Sequence, residues 1–391
     1  MPRDINPSEL YGWNIYQIAL QQDPYVTWAG VRTETPVFDA GEGVYLVTAW
    51  DLVDRIVRDP QFLAGRGVAE SMNTAAGSKI DVAALWLMSM DGPRHVHARG
   101  LVRRPFSARK VEELSEFVTD RVRSILPGFL DDCKVRPTDF LEKVAMTVPS
   151  EVIRRLLGID PRVWAEEVHP RFIASVEDAS SSAMEDLAAF FEREEASSGL
   201  LDVLGAPDDD GNQLTREEVI ANAVLLAMAA IDTTAGLIAN AVVCLLQNPR
   251  VLTLVQGDPS LVSKVVEETL RLEPSALSCS RFAPAAFEID GYSIPAESHL
   301  VLSIGAANRD PAKYESPDEF RLDRDYSGLL TFGGGRHFCL GASLARMEAR
   351  IILTELLPVL SQFELATPIS WQRRNPNIRL PTAVMLSMTR G

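Results

Sequence analysis

Cysteine is scarce in this 391-residue chain, and its four positions, Cys133, Cys244, Cys279 and Cys339, are widely separated. They form neither a CxxC metal pair nor the closely spaced set of a disulfide framework. Histidine is rare too, with five residues, which leaves few partners for a cysteine protease. We therefore expect free thiols in a reducing cytoplasm.

Basic residues are fewer than acidic residues in this chain. Lys and Arg number 38 against 54 Asp and Glu, a formal net charge of −16. Such a chain repels nucleic acid and anionic lipid unless a local basic patch intervenes. Residues Met1 to Trp13 carry Asp4 and Glu9 and lack the apolar core of a signal peptide. We expect no nucleic-acid partner and no membrane anchor.

The remaining composition, 46% hydrophobic and 24% charged, is typical of a globular protein with a large core. We find no internal repeat and no low-complexity tract. The loop-like stretches Phe62–Ser78 and Gly205–Asn212 do not resemble interdomain linkers. We therefore predict one domain over residues 1–391, with a sheet-rich N-terminal part and a mainly helical remainder.

Hydrophobic periodicity predicts a mainly α fold with small β-sheets. The predicted helices are Pro7–Gln21, Ala49–Arg58, Lys110–Leu130, Asp139–Leu157, Pro161–Val176, Ser182–Glu195, Thr215–Gln247, Ser260–Leu272 and Ala342–Leu357. The predicted strands are Val37–Phe38, Gly43–Thr48, Ser280–Ile289, Ser293–Ile294, His299–Leu302 and Val384–Met388.

One predicted helix is unusually apolar, from Val219 to Leu246, and is long enough to be read as a membrane span. Asp232, Thr233 and Thr234 lie at its middle, and an acid at the centre of a bilayer costs about 3 kcal/mol. A buried central helix with a polar notch fits better. These three polar residues either have a function or are structural, with a hydrogen-bonded core Asp and Thr hydroxyls bonded to the preceding turn.

The most informative string is FGGGRHFCLG, Phe332 to Gly341, which runs into the last long predicted helix. It places Cys339 at a helix start, where amide groups favour the thiolate that ligates metals or acts as a nucleophile. A phosphate loop would need Gly-Lys-Ser/Thr, and a zinc site would need more ligands than His337 and Cys339. A buried cysteine in a glycine-rich turn leaves the whole pattern unexplained.

This string resembles the haem-binding loop of the cytochrome P450 family, in which a Phe, a Gly, a His or Arg, a Cys and a Gly recur at fixed spacing. The matching residues are Phe332, Gly335, His337, Cys339 and Gly341. The resemblance implies that Cys339 is the axial iron ligand and that His337 contacts a haem propionate. It also implies the family fold, with a long central helix over the haem and the cysteine loop on the opposite haem face.

Other family motifs follow in the expected order. Glu268 and Arg271 in EETLR match the family's buried structural pair, whereas Glu151 and Arg154 show the same spacing by chance. The family often adds a third, arginine member to this pair. Its position corresponds here to Glu319, and Arg321 and Arg324 are both candidates to replace it.

The segment AAIDTT, Ala229 to Thr234, is similar to the family's oxygen-binding groove. By this resemblance Asp232 and Thr233 deliver protons, and Ala229 borders the cofactor. Ala230 stands where the family usually has Gly, and its methyl group would narrow the groove. Upstream, His95 and Arg99 match a family segment that binds haem propionates, and Arg281 matches a later propionate arginine.

The resemblance implies a bacterial monooxygenase that uses haem b and O2. Because no GxGxxG flavin or nicotinamide fingerprint is present, the electrons would come from a ferredoxin and its reductase. The expected substrate is a small hydrophobic molecule of secondary metabolism or catabolism, and the expected state is a cytoplasmic monomer. The candidate substrate contacts are Val68, Leu87, Leu225, Leu277 and Leu380. The alternatives are a haem-binding non-oxygenase, either a thiolate isomerase or a gas sensor, and a haem-free helical interaction protein.

Overall fold

A computed structural model describes residues 15–65, 83–171, 181–193, 204–208, 211–373 and 375–389. Its main helices are α1 Ile15–Ala19, α2 Pro24–Glu34, α3 Trp50–Arg58, α4 Gly92–Val102, α5 Ala108–Val135, α6 Thr147–Leu157, α7 Ser181–Arg193, α8 Arg216–Gln247, α9 Pro249–Gly257, α10 Val262–Leu272, α11 Ile304–Ala307 and α12 Ala342–Leu360. A short α-helical turn at Pro161–Val163, wide π-helical turns at Leu141–Met146 and Trp164–Val168, and short 3₁₀ turns complete the helical part of the described residues.

The strands are β1 Val37–Gly41, β2 Val44–Val47, β3 Thr138–Asp139, β4 Ser278–Ala283, β5 Phe287–Ile289, β6 Tyr292–Ile294, β7 Ser298–Ser303, β8 Phe363–Leu365 and β9 Met385–Met388. The largest sheet has the order β1-β2-β7-β4, in which only β2 and β7 are parallel. A second sheet has the order β3-β9-β8, and β5 pairs with β6. Asp290 and Gly291, both at positive φ, form the tight turn of that hairpin, as expected for an Asp-Gly pair.

The central element is α8, whose 32 residues span about 48 Å. It begins at a capping box, in which the Thr215 hydroxyl accepts from the Glu218 N–H and the Glu218 carboxylate accepts from the Thr215 N–H. Helix α8 is long and apolar enough to cross a membrane by length and composition, but 72% of its most apolar window is buried inside the fold. Its apolar surface is therefore covered by protein.

Two apolar cores meet along α8. The larger one joins α8 to α5, α10 and α12 around residues such as Val122, Ile238 and Ile352. The other joins the first half of α8 to α4 and to the segment 83–90, with Trp86 and Leu101 among its members. The candidate site lies where these two cores face each other.

The mainly α architecture with small sheets is as predicted, and α3, α5, α7, α8, α10 and α12 lie within a few residues of their predicted bounds. The predicted strand Ser280–Ile289 is wrong as one element. It is divided into β4 and β5, with Pro284, which lacks an N–H for a sheet ladder, between them. The predicted helix Asp139–Leu157 begins too early. Asp139 lies in β3, where its carboxylate accepts from the N–H groups of Leu141 and Val384.

Helices α2, α4, α9 and α11 were not predicted. In α2 the buried apolar side chains Tyr25, Trp28 and Val31 form only a narrow stripe, which gives a weak helical signal. Parts of the predicted helices Pro7–Gln21, Pro161–Val176 and Ser182–Glu195, and most of the loop Phe62–Ser78, lie outside the described residues.

Candidate active site

A largely apolar cavity of about 480 Å³ separates α8 from the loop that carries Cys339. Its volume is within the range of small-molecule sites, about 300–1,000 Å³. Leu225, Ala229 and Thr233 of α8 border it on one side, and Cys339 and Gly341 on the other. The polar groups that line this cavity therefore decide what it can hold.

The cysteine loop is held by backbone contacts. The Cys339 N–H donates to the Phe332 carbonyl at 2.8 Å. Gly335 has a φ of +62°, and a Cβ there would lie 3.0 Å from the Cα of Arg58. The glycine run thus lets the loop pack against α3. The backbone amides that donate hydrogen bonds to the Cys339 sulfur belong to Gly341 and Ala342, at the start of α12.

Cys339 is a free thiol that is exposed to the cavity and otherwise surrounded by protein. Burial raises the pKa of this thiol, while the Gly341 and Ala342 amides and the nearby guanidinium groups of Arg99 and Arg346 act in the opposite direction. A metal ion bound to the sulfur would displace the proton outright. The position suits a metal ligand better than a structural cysteine.

Four side chains that can carry positive charge line the same cavity: His95, Arg99, Arg281 and His337. Arg99 donates to the Phe338 carbonyl at 2.6 Å, and Arg281 donates to the Val57 carbonyl at 3.1 Å. The rings of His95 and His337 lie 4.1 Å apart between centroids. The structure thus brings together residues that are far apart in sequence.

His95 is the clearest sign that an anionic ligand belongs here. It is 1% exposed, and neither ring nitrogen has a hydrogen-bond partner among the described residues. Burial, followed by the proximity of His337 and Arg99, lowers the pKa of His95 to about 4. A buried polar group without a partner is costly, and a carboxylate between these side chains would relieve both the missing hydrogen bond and the positive charge.

The remaining residues fit a flat cofactor. Phe332, Ala229 and Gly341 line the cavity, and a Cβ added at Gly341 would enter open space. The cavity offers a sulfur ligand, apolar walls and guanidinium groups that can pair with two carboxylates. These features match the haem, with its two propionates, that the sequence motifs imply. Cys339, the two arginines and the two histidines would hold it.

Asp232 and Thr233 lie on α8 but differ in orientation. Thr233 lines the cavity, and its hydroxyl donates to the Ala229 carbonyl at 2.7 Å. Asp232 is 9% exposed, and one of its carboxylate oxygens has no hydrogen-bond partner among the described residues. Burial raises the pKa of Asp232 to about 6. This carboxyl can therefore exchange a proton near neutral pH.

The Glu268–Arg271 pair is fully buried, with two hydrogen bonds of 2.8 Å between the side chains. Its third member is Arg324, whose Nε lies 3.1 Å from Glu268, while Arg321 contributes only its backbone N–H. The chance pair Glu151 and Arg154 is not joined, because Glu151 pairs with Arg121. The buried network ties α10 to the segment that leads to the cysteine loop.

Of the candidate substrate contacts, Leu87 and Leu225 line the cavity. Leu277 does not: its neighbours Ala276 and Ser278 do, because alternate residues of an extended segment face opposite sides. Leu277 packs instead into the core that contains Trp28. Leu380 packs on the largest core, while Asn377 and Ile378 line the cavity. Val68 lies outside the described residues.

Sequence reasoning missed several polar residues of the cavity wall, among them Asn222, Ser275 and Glu348. Each is a single polar residue in an apolar or mixed segment, with no spacing that would distinguish it. Glu348 is 2% exposed, and one carboxyl oxygen has no hydrogen-bond partner among the described residues. Burial raises the pKa of Glu348 to about 8.

This shift predicts a pH-dependent effect of Glu348→Gln. Below the usual pKa of about 4.5 the Glu348 carboxyl is protonated in both the folded and the unfolded state. Its replacement by Gln therefore changes the pH dependence of the free energy of unfolding little in that range. As the pH rises, the unfolded state ionises first and the wild type loses stability relative to the variant. With about 1.4 kcal/mol per pH unit, the advantage of the variant is on the order of 3 kcal/mol at pH 7, and it levels off above the folded pKa.

Thermal midpoints of the two haem-loaded proteins from pH 5 to pH 8.5 test this expectation. Glu166→Gln, at an exposed position, is the control for the loss of one carboxylate. A difference between Glu348→Gln and wild type that does not change with pH would contradict it.

Three comparisons with known proteins agree with this geometry. Residues 165–387 match the family model described as Cytochrome P450. The chain is 33% identical to cytochrome P450 monooxygenase PikC of Streptomyces venezuelae, over 94% of this chain and 92% of that protein. It is 33% identical to vitamin D(3) 25-hydroxylase of Pseudonocardia autotrophica, with 88% of each chain covered. The crystal structure of Mycobacterium smegmatis CYP164A2 with econazole bound superposes with a TM-score of 0.85 at 26% identity, covering 98% of this chain and 100% of that one.

Proposed function

The chain belongs to the cytochrome P450 family of haem monooxygenases, and we propose that it inserts one atom of O2 into a mostly apolar small organic molecule. The observation that carries the proposal is the cavity in which Cys339 faces Thr233 of α8 across an apolar space. The proposed cofactor is haem b, iron protoporphyrin IX. Its two propionates suit the guanidinium groups of Arg99 and Arg281 and the imidazole donors of His95 and His337, and no CxxCH string is present for covalent attachment.

Haem, when bound, supplies an iron that activates O2 with two electrons. The chain supplies the environment. Cys339 provides the sulfur ligand, and the Gly341 and Ala342 amides stabilise its negative charge. His95, Arg99, Arg281 and His337 line the same cavity and would bind the propionates, which would orient the cofactor.

Proton delivery is assigned to Asp232 and Thr233. The Thr233 hydroxyl reaches the cavity, and the Asp232 carboxyl lies buried beside it on the same helix. With its pKa raised to about 6, Asp232 can take a proton from solvent and release it inward. Ala230 also lines the cavity, and its methyl group narrows the space beside Thr233.

The substrate is proposed to be hydrophobic. Leu87, Met88, Leu225 and Ile304 line the cavity, and such walls favour molecules with few polar groups. One relative is named for the hydroxylation of vitamin D(3), itself such a molecule. Hydroxylation in bacterial secondary metabolism or catabolism is the role we propose, by a cytoplasmic monomer made of a single catalytic domain.

Electrons are proposed to come from a ferredoxin and its reductase. We infer a basic face on the side of the cysteine loop from the sequence cluster Arg99, Arg103, Arg104, Arg109, Lys110, Arg336 and Arg346. Arg336 belongs to the loop, Arg99 donates to the Phe338 carbonyl, and Arg346 lies close enough to act on Cys339. Several of its members are engaged: Arg109 and Lys110 pair with Glu113, and Arg346 pairs with Glu267. Arg103 and Arg104 are exposed and make no side-chain ion pair with the described residues. Both side chains are therefore free to meet an acidic donor.

Charge reversal at both positions, Arg103→Glu with Arg104→Glu, is expected to slow reduction by ferredoxin on the order of tenfold at low salt, because it replaces attraction by repulsion. The difference should shrink as salt is added. Stopped-flow reduction with a bacterial [2Fe–2S] ferredoxin measures it.

Arg250→Glu, at an exposed arginine of α9 outside the basic face, is the matched control and should leave the rate unchanged. Dithionite reduction should be the same in all three proteins. An unchanged ferredoxin rate in the double variant at low salt would eliminate this docking surface.

The central test of function is spectroscopic and then catalytic. Protein loaded with haem, reduced and exposed to carbon monoxide should show the strongly red-shifted Soret band of a thiolate ligand. With ferredoxin, reductase and NADPH it should oxidise an apolar substrate and incorporate label from ¹⁸O2. A thiolate isomerase would convert its substrate without reductant, and a gas sensor would bind carbon monoxide without turnover. A colourless protein that cannot be reconstituted with haemin would overturn the proposal.

A further inference from the structure

The side chain of Asn222 joins two elements that form the cavity wall. It lies in the second turn of α8 and is 0% exposed. Its Oδ1 accepts from the Leu87 N–H at 2.9 Å, and its Nδ2 donates to the Leu85 carbonyl at 3.2 Å and to the Glu218 carbonyl at 2.8 Å. The amide therefore binds the segment 85–87 much as a neighbouring strand would.

The segment has little regular structure of its own. It consists of two 3₁₀ turns, Ala83–Leu85 and Leu87–Ser89, on either side of an extended Trp86. The turn hydrogen bonds at its ends are long, 3.3 Å from Trp86 to Ala83 and 3.4 Å from Met90 to Leu87. Leu87, whose N–H is held by Asn222, and Met88, the next residue, line the cavity.

The other end of the segment is fixed separately. The Asp91 carboxylate accepts from the Gly65 N–H at 2.7 Å and lies 3.4 Å from Nε2 of His337. This end of the segment is tied to the propionate side of the cavity. Asn222 holds the end that faces the α8 residues Leu225 and Leu226, one turn further along the helix and also in the cavity wall.

We propose that Asn222 is a positioning residue that determines substrate specificity: its amide fixes the peptide 85–87, and thereby sets where Leu87 and Met88 stand against Leu225 across the substrate cavity. The inference rests on the proposed function, because the cavity it shapes is the one assigned to substrate. It predicts that affinity for bulky ligands depends on Asn222, while haem binding does not.

Asn222→Leu removes all three hydrogen bonds at similar volume and leaves the Leu87 N–H and the Leu85 carbonyl unpaired in the interior. We expect the dissociation constant of econazole, an azole large enough to reach this wall, to rise on the order of tenfold. Imidazole, which fills only the space beside the iron, should bind within about twofold of wild type. Asn222→Asp keeps the acceptor for the Leu87 N–H, so its dissociation constant for econazole should lie between those of the wild type and Asn222→Leu.

Arg94→Gln is the matched control. The Arg94–Glu218 ion pair, 3.1 Å long and with its arginine exposed, joins α4 to the first turn of α8 near Asn222, and losing it should change neither constant. All constants are read from the Soret shift on azole binding. The ratio of the econazole constant to the imidazole constant is the diagnostic quantity, since a general loss of stability would not change it selectively.

The outcomes separate this inference from the proposed function. A normal carbon monoxide spectrum in Asn222→Leu with unchanged econazole affinity would overturn the role of Asn222 and leave the monooxygenase intact. Absence of the thiolate spectrum in wild type would overturn the proposed function itself. If Asn222→Leu does not fold, hydrogen exchange on wild type decides, because the inference requires slow exchange of the Leu87 amide. Rapid exchange there would refute it.

Discussion

Replacing Cys339 by serine should abolish the red-shifted Soret band of the reduced carbon monoxide complex and lower monooxygenase turnover by at least about 100-fold. Serine keeps the shape of the side chain but does not donate electron density to iron as a thiolate does. Helix content should stay unchanged, because the loop is held by the Cys339 N–H bond to Phe332 and by glycine packing on α3, neither of which involves the sulfur. Difference spectra and circular dichroism measure the two quantities on one sample.

Cys279→Ser is the control for this experiment. Cys279 lines the same cavity, so its replacement makes a similar polarity change nearby without removing the proposed ligand. It should retain the red-shifted band. Retention of that band in Cys339→Ser would rule out Cys339 as the iron ligand.

Asp232→Asn should lower the rate of product formation on the order of 100-fold while NADPH is still consumed. An amide keeps the size of the buried carboxyl but cannot hold and release a proton, and a well-placed proton donor contributes about 10² to 10⁴ to rate. Electrons delivered without protons at the right place are lost to reduced oxygen species. Product, NADPH and hydrogen peroxide, measured together, give the coupling ratio.

Thr233→Ala should show the same loss of coupling, because the hydroxyl is the part of the pair that reaches the cavity. Thr253→Ala is its control: the Thr253 hydroxyl makes the same bond to a carbonyl four residues earlier, at 3.0 Å, on the exposed surface of α9. An Asp232→Asn enzyme with unchanged coupling would assign proton delivery to other groups.

Local signals in the sequence predicted the elements that carry the chemistry. The glycine-rich string before Cys339 and the apolar run of α8 both depend on neighbouring residues, so their structure follows from the sequence around them. Helix α2 was missed because tertiary packing overrides a weak local pattern there. Residues Leu141–Met146 lie in a predicted helix, but their π-helical form was not predicted. The prediction that Leu277 lines the cavity was wrong by one residue: its neighbours Ala276 and Ser278 line it, because adjacent residues of an extended segment point to opposite sides.

The contacts that could not be predicted all join distant parts of the chain. Glu268 and Arg324 are 56 residues apart, and Asn222 and Leu87 are 135 apart. Nothing near either residue distinguishes Arg324 from Arg321, or Asn222 from Asn240. Which residue of each pair makes the contact is decided by the path of the folded chain. It brings the side chains of Arg324 and Asn222 to their partners and places those of Arg321 and Asn240 elsewhere.

Helix α8 also bears on how the chain is made. Its packing partners lie on both sides of it in the sequence: α6 and α7 precede it, whereas α10 and α12 follow it. A ribosome that has just completed α8 still has to synthesise residues up to 360 before the last partner emerges. During that interval part of the apolar surface of the newly made helix lacks its final cover, so we expect nascent chains of this protein to be most prone to aggregation late in synthesis.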